Sequence, residues 1–508
     1  MMSIKARDAQ SAVSYYTHMS QDEAREVDDY YAKEGAGWWY GAGADAIGLS
    51  GPVDAQDFRD VAEGFGPDGL ALTQNSGKPD RRAGYDATLS APKSVSVVWG
   101  LGDESTRAAI EEAHQNAVRA ALDQMQEHAL TTRRGSGSWK HERGALVASV
   151  FDHGTSREQD MQLHSHCFIH NVAQREDGTW GTIESKYLYQ YTKGLGAAYR
   201  AELARELQRA GYEVERDRDS FRIASISKDV EREFSKRRQQ IEAEMAERGV
   251  SGARAAEAAT LSTRSRKEER DQDELRQEWR DRAAEFGLTQ EHVTADLEHP
   301  VDPLDDGLSA EELIEVATAN DAVVREQDLF RVAAVEAQTL GLGASDISGM
   351  VGEMKQHAVA LVDDHGHTIY TSRQLLDAEH EVMAIAQAGR ESTAHHVDQA
   401  NIDAAKARVK EVEGFALADD QAAAVDYLLT ESGSVSVIIG DAGTGKSTSM
   451  KVFKEAQEMA GRRVLGAAPS GKAASGLEES TSVESQELQK ATGIESYTID
   501  ALVGRIEK

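Results

Sequence analysis

The sequence predicts an α+β chain with a β-rich front part, a mainly helical middle and a partial α/β lobe at the far end. Three observations predict it. Residues 144–152 and 162–172 are β-rich runs joined by a short polar connection, 154–160. Residues 310–400 carry little strand pattern beyond Thr368-Ile369-Tyr370. Residues 434–439, Ser-Val-Ser-Val-Ile-Ile, form a β-branched run that leads into a glycine-rich stretch and then a helix. At 508 residues the chain exceeds one ordinary core, so two or three domains are expected.

Composition narrows the functional classes. Apolar residues make up 40% of the chain, yet no apolar run approaches the length of a membrane span, and the start lacks a signal-like pattern. A single cysteine, Cys167, excludes an internal disulfide. A cytoplasmic protein without membrane insertion is expected. The net charge of −32 argues against indiscriminate nucleic-acid binding and leaves room for a DNA enzyme whose cations are local. Residues 301–508 are the more acidic part, with 17 basic and 36 acidic side chains against 39 and 52 in residues 1–300. Basic groups cluster at Arg232, Lys236, Arg237 and Arg238, and again at Arg264, Arg266 and Lys267. Either cluster is a solvated face paired with glutamates or a phosphate contact; Arg237 and Arg238 are the candidates for the latter.

In chain order, residues 10–34 read as helical and carry two tyrosine doublets, Tyr15-Tyr16 and Tyr30-Tyr31. Such a doublet commonly packs one ring inward. A phenolate can also attack a phosphodiester. Trp38-Trp39-Tyr40 offers either faces for base stacking or a small core cluster. Residues 84–90 and 94–99 read as strands around Pro92. Asp86, on the first, can fix the tautomer of a metal-bound imidazole, help deprotonate a tyrosine, or close a turn. Lys93 is a candidate phosphate contact. Residues 103–128 have the periodicity of an amphipathic helix, and 193–211, 228–248 and 271–286 read as further helices.

Between them lies the strongest chemical pattern. Side chains alternate along a strand, so His164 and His166 share a face, and His153 on an adjacent strand can complete a three-nitrogen cup. Three neutral imidazoles with coordination positions left open suit a divalent catalytic metal, for which Mg or Mn is the first expectation and Zn an option. The plain alternative is an accidental His-x-His on a half-buried strand. His170 would share the face of His166, and Cys167 would pack on the opposite one.

Residues 291–310 are acidic with Pro300 and Pro303 and read as a linker. Farther on, Gly440-Asp441-Ala442-Gly443-Thr444-Gly445-Lys446-Ser447-Thr448 fits Gly-x4-Gly-Lys-Ser between a predicted strand and a predicted helix. Gly440, Gly443, Thr444, Gly445 and Thr448 would cradle phosphates, Lys446 would neutralise them, and Ser447 would bind the Mg of an ATP–Mg complex. A glycine-rich turn without nucleotide is the alternative.

The two tyrosine doublets, Gly84 to Ser96, Asp152 to Glu158 and Gln162 to His166, in that order, resemble the relaxase domain of conjugative relaxase–helicases of the MobF type, over roughly residues 10–290. The resemblance implies a palm-like antiparallel sheet carrying the His-x-His strand, closed by a helical clamp, as a relaxase domain over 1–290. It implies a metal held by His153, His164 and His166, with Asp86 in the active site. Tyr15 would make the first cut of single-stranded DNA at an origin of transfer through a 5′-phosphotyrosine, and Tyr30 would serve the reverse or termination step. Thirteen residues separate Tyr16 from Tyr30, more than is usual in the family, and His170 stands where the family commonly has an apolar residue. Residues 311–405 resemble the accessory subdomain of the helicase half, and 406–508 a partial RecA-like P-loop lobe. There, Gln421 resembles an adenine-reading glutamine and residues 467–474 a strand-gripping motif. With no Walker B strand or second lobe before Lys508, nucleotide binding without DNA unwinding is expected. Implied partners are single-stranded origin DNA and the coupling and secretion proteins of a conjugation system. A rolling-circle replication initiator, a non-catalytic DNA- or ATP-binding accessory protein and a zinc hydrolase are the alternatives; the last lacks an evident glutamate base beside the histidines.

Overall fold

The computed structural model describes residues 2–8, 12, 37–134, 140–252, 255–256, 258–259, 272–294, 299, 301, 307–414, 416–441, 443–485 and 490–506. The chain forms two compact units, Met1–Arg373 and Gln374–Lys508.

The first unit is built on a five-stranded antiparallel sheet of β1 (Met2–Asp8), β2 (Trp38–Tyr40), β3 (Arg82–Ser90), β4 (Ala148–Thr155) and β5 (Met161–His170), in the order β1-β3-β5-β4-β2. The predicted α+β, antiparallel-sheet class therefore holds. The inner strands are buried on both faces, which is why β3 and β4 read as near-continuous runs of small and apolar residues. One face packs beneath α1 (Lys93–Leu101), α2 (Glu104–His128) and α3 (Ser185–Arg209), where Leu163, Cys167 and Ile169 meet a core that includes Val118, Leu122, Leu195 and Leu203. The other face is covered at one end by an aromatic group of Trp39, Phe58, Phe151 and Phe168. Each such ring, fully buried, contributes about 1.5–3 kcal/mol. The helix α2 starts where the sequence suggests, with the Asp103 carboxylate accepting from the Thr106 amide at 2.8 Å. After α3 come α4 (Lys236–Glu247) and α5 (Gln272–Ala284). The helix Glu326–Glu336 then adds Leu329 and Phe330 to the same core.

Three local expectations are corrected. Residues 94–99 are not a strand: they lie in α1, with Pro92 at its N-cap, and every residue from Ser94 to Leu101 is buried. A short apolar run buried on all sides has no period by which strand and helix differ. Val359–Val362 forms a hairpin with Thr368–Thr371, so the middle region has more strand than Thr368-Ile369-Tyr370. The helix α3 begins at Ser185, eight residues before the expected start.

In the second unit, helices Gln399–Glu413, Asp419–Thr430 and Lys446–Met459 enclose Ile402, Val425, Leu429 and Val452. Leu465–Ala468 pairs in parallel with Glu495–Thr498. The strand expected over 434–439 does not form. Among the described residues it has no ladder partner, and Val437 and Ile439 are 81% and 92% exposed, whereas a P-loop strand is normally covered on both faces. No described helix is long and apolar enough to cross a membrane.

Candidate metal centre

Strand pairing assembles the histidine cup. β4 and β5 place His153 directly opposite His164, and His166 is the diagonal neighbour two residues on. Ring centroids lie 5.2 Å (His153–His164), 5.1 Å (His153–His166) and 5.4 Å (His164–His166) apart. One ligand nitrogen from each ring falls within 4.8 Å of the others. Among the described residues, no further histidine, cysteine or carboxylate joins the group.

The rings are held from behind. His166 Nδ1 lies 2.9 Å from Asp86 Oδ1, and His164 Nδ1 lies 2.7 Å from the Gln162 carbonyl. Both partners accept, so both Nδ1 atoms carry the proton and Nε2 is the ring nitrogen that can ligate a cation. This donor chemistry fits a divalent ion: neutral nitrogens, oriented tautomers, and open positions for a substrate oxygen.

Asp86 sits in β3 with its side chain 4% exposed. Burial raises its pKa, but the hydrogen bonds from His166 and from Arg7 Nη2 at 2.8 Å outweigh it, leaving the carboxyl at about 2. Arg7 reaches Asp86 because β1 pairs with β3, placing Lys5 opposite Asp86 and Arg7 one step along the same face. No local signal in the sequence marks Arg7; it emerges from the pairing.

The opposite face of the same hairpin carries a second polar chain that sequence reasoning also missed. Ser165 pairs with Asp152 across the ladder, and its hydroxyl donates to Asp152 Oδ1 at 2.5 Å. His114 Nε2, from α2, donates to Ser165 Oγ at 2.7 Å, and Tyr199 OH, from α3, donates to His114 Nδ1 at 2.7 Å. Gln115 Nε2 adds a bond to Asp152 at 3.2 Å. The directions follow from the carboxylate, which can only accept. The strand residue between the two metal-facing histidines is thus tied to both long helices.

Burial lowers the His114 pKa from 6.5 to about 4, despite the attraction of Asp152. A histidine kept neutral by folding binds fewer protons folded than unfolded between those values. Its contribution, roughly 3 kcal/mol, is complete above pH 6.5 and is lost as pH falls toward 4. The unfolding midpoint measured against pH is expected to drop over that window, and His114→Gln to flatten the drop.

The remaining expected residues are placed as follows. Tyr15 and Tyr30 lie outside the described residues. Lys93 points inward, its ammonium donating to the Met161 carbonyl at 2.7 Å, so the expected phosphate contact gives way to a bond that holds the start of β5. Arg238 pairs with Glu242 at 2.6 Å on the exposed face of α4, and Arg237 lies 3.3 Å from Gln240 Oε1, both as on a solvated helix. His170 is not in the cup: it lies among Trp39, Phe58 and Phe168 with Nε2 2.7 Å from Ser149 Oγ. Cys167 is buried on the opposite face, as expected. Of the aromatic triplet, Trp39 is core, while Arg119 lies over Trp38 at 4.8 Å.

In the second unit, Gly443 and Gly445 take φ of +83° and +80°, conformations that favour glycine, and Gly445 caps the helix opened by Lys446, Ser447 and Thr448. The Lys446 ammonium donates to the carbonyls of Gly440 and Asp441 at 2.5 and 2.7 Å. Gln421 donates to the Thr444 carbonyl at 3.0 Å, against the loop itself.

Comparison with known proteins agrees with this geometry. A family model described as TrwC relaxase matches residues 9–286, and one described as an AAA domain matches residues 416–507. The multifunctional conjugation protein TraI of Escherichia coli (strain K12) is 37% identical over 230 residues, 42% of this chain and 12% of that protein. The probable conjugal transfer protein TraA of Sinorhizobium fredii is 36% identical over 119 residues, 23% of this chain and 10% of that protein. The chain thus covers about an eighth or less of the length of these relatives. Two solved structures of the conjugative relaxase TrwC with oriT DNA, one metal-bound and one copper-bound, superpose with TM-scores of 0.51 and 0.50 at 35% and 36% identity; each covers 57% of this chain and 100% of its own.

Proposed function

Since the chain belongs to the TrwC relaxase family, we propose that it nicks and rejoins single-stranded DNA at an origin of transfer, initiating conjugative transfer. The observation that carries this reading is the cup of His153, His164 and His166 with the tautomers of His164 and His166 fixed. A divalent ion, Mg or Mn, held by these three histidines would polarise the scissile phosphate and offset its developing charge. The Tyr15 phenol gives up its proton as its oxygen attacks phosphorus, the bond from phosphorus to the 3′ oxygen breaks, and that oxygen takes up a proton to leave as the 3′-hydroxyl. The 5′-phosphotyrosine conserves the ester, so attack by a 3′-hydroxyl reverses the step without ATP. Tyr30 serves a second transfer. Single-stranded origin DNA is the substrate; coupling and secretion proteins are further partners.

Asp86 acts through His166 rather than as a base for the tyrosine. A carboxyl held near pKa 2, buried, and engaged through both oxygens is a poor proton acceptor and a good anchor. Asp86→Asn is expected to weaken Mn²⁺ binding about 10–100-fold, read by calorimetric titration. The 406–508 segment is helicase-like and binds ATP–Mg through Lys446 and Ser447. Lys446→Ala is expected to weaken binding of a fluorescent ATP analogue by about tenfold or more, because an ammonium–phosphate contact is charge-assisted; unchanged affinity would remove the nucleotide reading.

The test is incubation with labelled single-stranded origin oligonucleotides and Mg²⁺ or Mn²⁺. A DNA–protein adduct that survives SDS is expected. Binding without any adduct across the panel would favour an accessory DNA-binding protein instead.

A further inference from the structure

The cup sits close to the turn end of its hairpin. Beyond the His153–His164 pair, the ladder is irregular and a single further pair, Thr155–Met161, precedes the turn. That turn is tight: Ser156 and Asp160 bond across it at 2.8 Å, and Gln159 takes φ of +60°. One ladder pair past a bulge is weak restraint for strands that must keep three rings in register.

The restraint comes from elements distant in sequence. Asp160 is 1% exposed, and its Oδ1 accepts from both Nη atoms of Arg282, each at 3.2 Å, while Oδ2 accepts from the Lys236 amide at 2.8 Å. Arg282 is itself fixed by Glu233 at 2.9 Å and lies over the Phe234 ring at 4.4 Å. Trp279, fully buried in α5, donates Nε1 to the Gln159 carbonyl at 2.9 Å. Lys93 holds the Met161 carbonyl, and a methyl group at Gly154 would lie 2.2 Å from the Trp99 ring, so that side is closely packed as well. A buried ion pair of this kind is a weak source of net stability, but removing either partner leaves an uncompensated buried charge.

We propose that α5, with the start of α4, is a strap on the turn of the metal-bearing hairpin, and that Asp160, Arg282 and Trp279 are positioning residues for the histidine cup. Asp160 lies four residues from His164, and Gln159 six from His153, so the strap sets the angle at which β4 and β5 present their rings. The helical segment after the sheet thereby governs metal affinity. This rests on the reading of the cup as a metal site.

The test uses the full chain and Mn²⁺ alone, by calorimetric titration, beside thermal unfolding of the metal-free protein. Arg282→Met is expected to raise the Mn²⁺ Kd about tenfold, the range seen when groups behind metal ligands are lost. Arg282→Lys is expected to restore most of it. Trp279→Phe, which keeps an aromatic side chain, removes the Nε1 donor and leaves a small void, is expected to lower the unfolding temperature and to raise the Kd about threefold at temperatures where the variant remains fully folded, a loss of affinity that a merely structural role would not give. Mn²⁺ affinity within twofold of the parent in folded Arg282→Met and Trp279→Phe would overturn the strap while leaving the metal site standing. A parent protein that fails to bind Mn²⁺ would overturn both.

Discussion

Replacing Tyr15 with phenylalanine is expected to abolish the SDS-resistant DNA adduct and to lower strand cleavage by about 10⁴-fold or more, the scale on which removal of a covalent nucleophile acts. The substitution deletes one oxygen and keeps the phenyl ring, so it removes the nucleophile with the smallest change of side chain. Metal binding should be unchanged, since the three histidines of the cup lie on β4 and β5. Tyr30→Phe should leave the first cut near its parental rate and impair the second transfer. Cleavage is read with a 5′-labelled oligonucleotide, the adduct with label placed 3′ of the scissile bond. An adduct formed by the Tyr15→Phe protein at the parental rate would move the nucleophile elsewhere, with Tyr16 the first residue to examine.

His164→Ala carries the second large expected effect. It removes one of three nitrogens, together with the ring that the Gln162 carbonyl holds in place. The scissile phosphate then loses a charge partner worth several kcal/mol in the transition state, so cleavage should fall about 10²–10³-fold. Direct Mn²⁺ binding should fall in parallel. Oligonucleotide binding should change little, because nucleic-acid affinity is a sum over many phosphate contacts, of which the metal supplies few. Chelation of the parent protein should reproduce the cleavage defect, and added Mn²⁺ should reverse it. Cleavage by His164→Ala within tenfold of the parent would remove the metal from the chemistry.

The site was legible in the sequence where its geometry is local. His164 and His166 are two apart on a strand, and period-two alternation puts them on one face without further information. His153 needed a pairing register, which the short polar connection between the two β runs made readable. Arg7, His114, Asp152, Gln115 and Tyr199 were not legible, because their roles come from sheet order and from helices packed across the sheet. Asp160 and Arg282 are separated by 122 positions and meet through tertiary packing alone. The fold followed the same division. Amphipathic α2 is read from its own periodicity, whereas α1, buried on every side, and 434–439, exposed where burial was expected, have patterns that their surroundings override.

Lys93 makes the same point for charge. A lysine in a loop-like stretch invites a phosphate contact, yet the desolvated ammonium, with its pKa lowered to about 8 by burial, is spent on a backbone carbonyl beside the hairpin. In a chain of net charge −32, candidate DNA-contacting cations are to be sought by local geometry and salt dependence rather than by count.

The three imidazoles on β4 and β5 are expected to hold one divalent ion for strand cleavage. Anomalous diffraction from crystals grown with Mn²⁺ tests it most directly. The expected result is a single strong peak in contact with Nε2 of both His164 and His166 and with the His153 ring, and no carboxylate in direct contact. A map with no peak among those rings, or with the ion bound by Asp86 in place of His166, would contradict it.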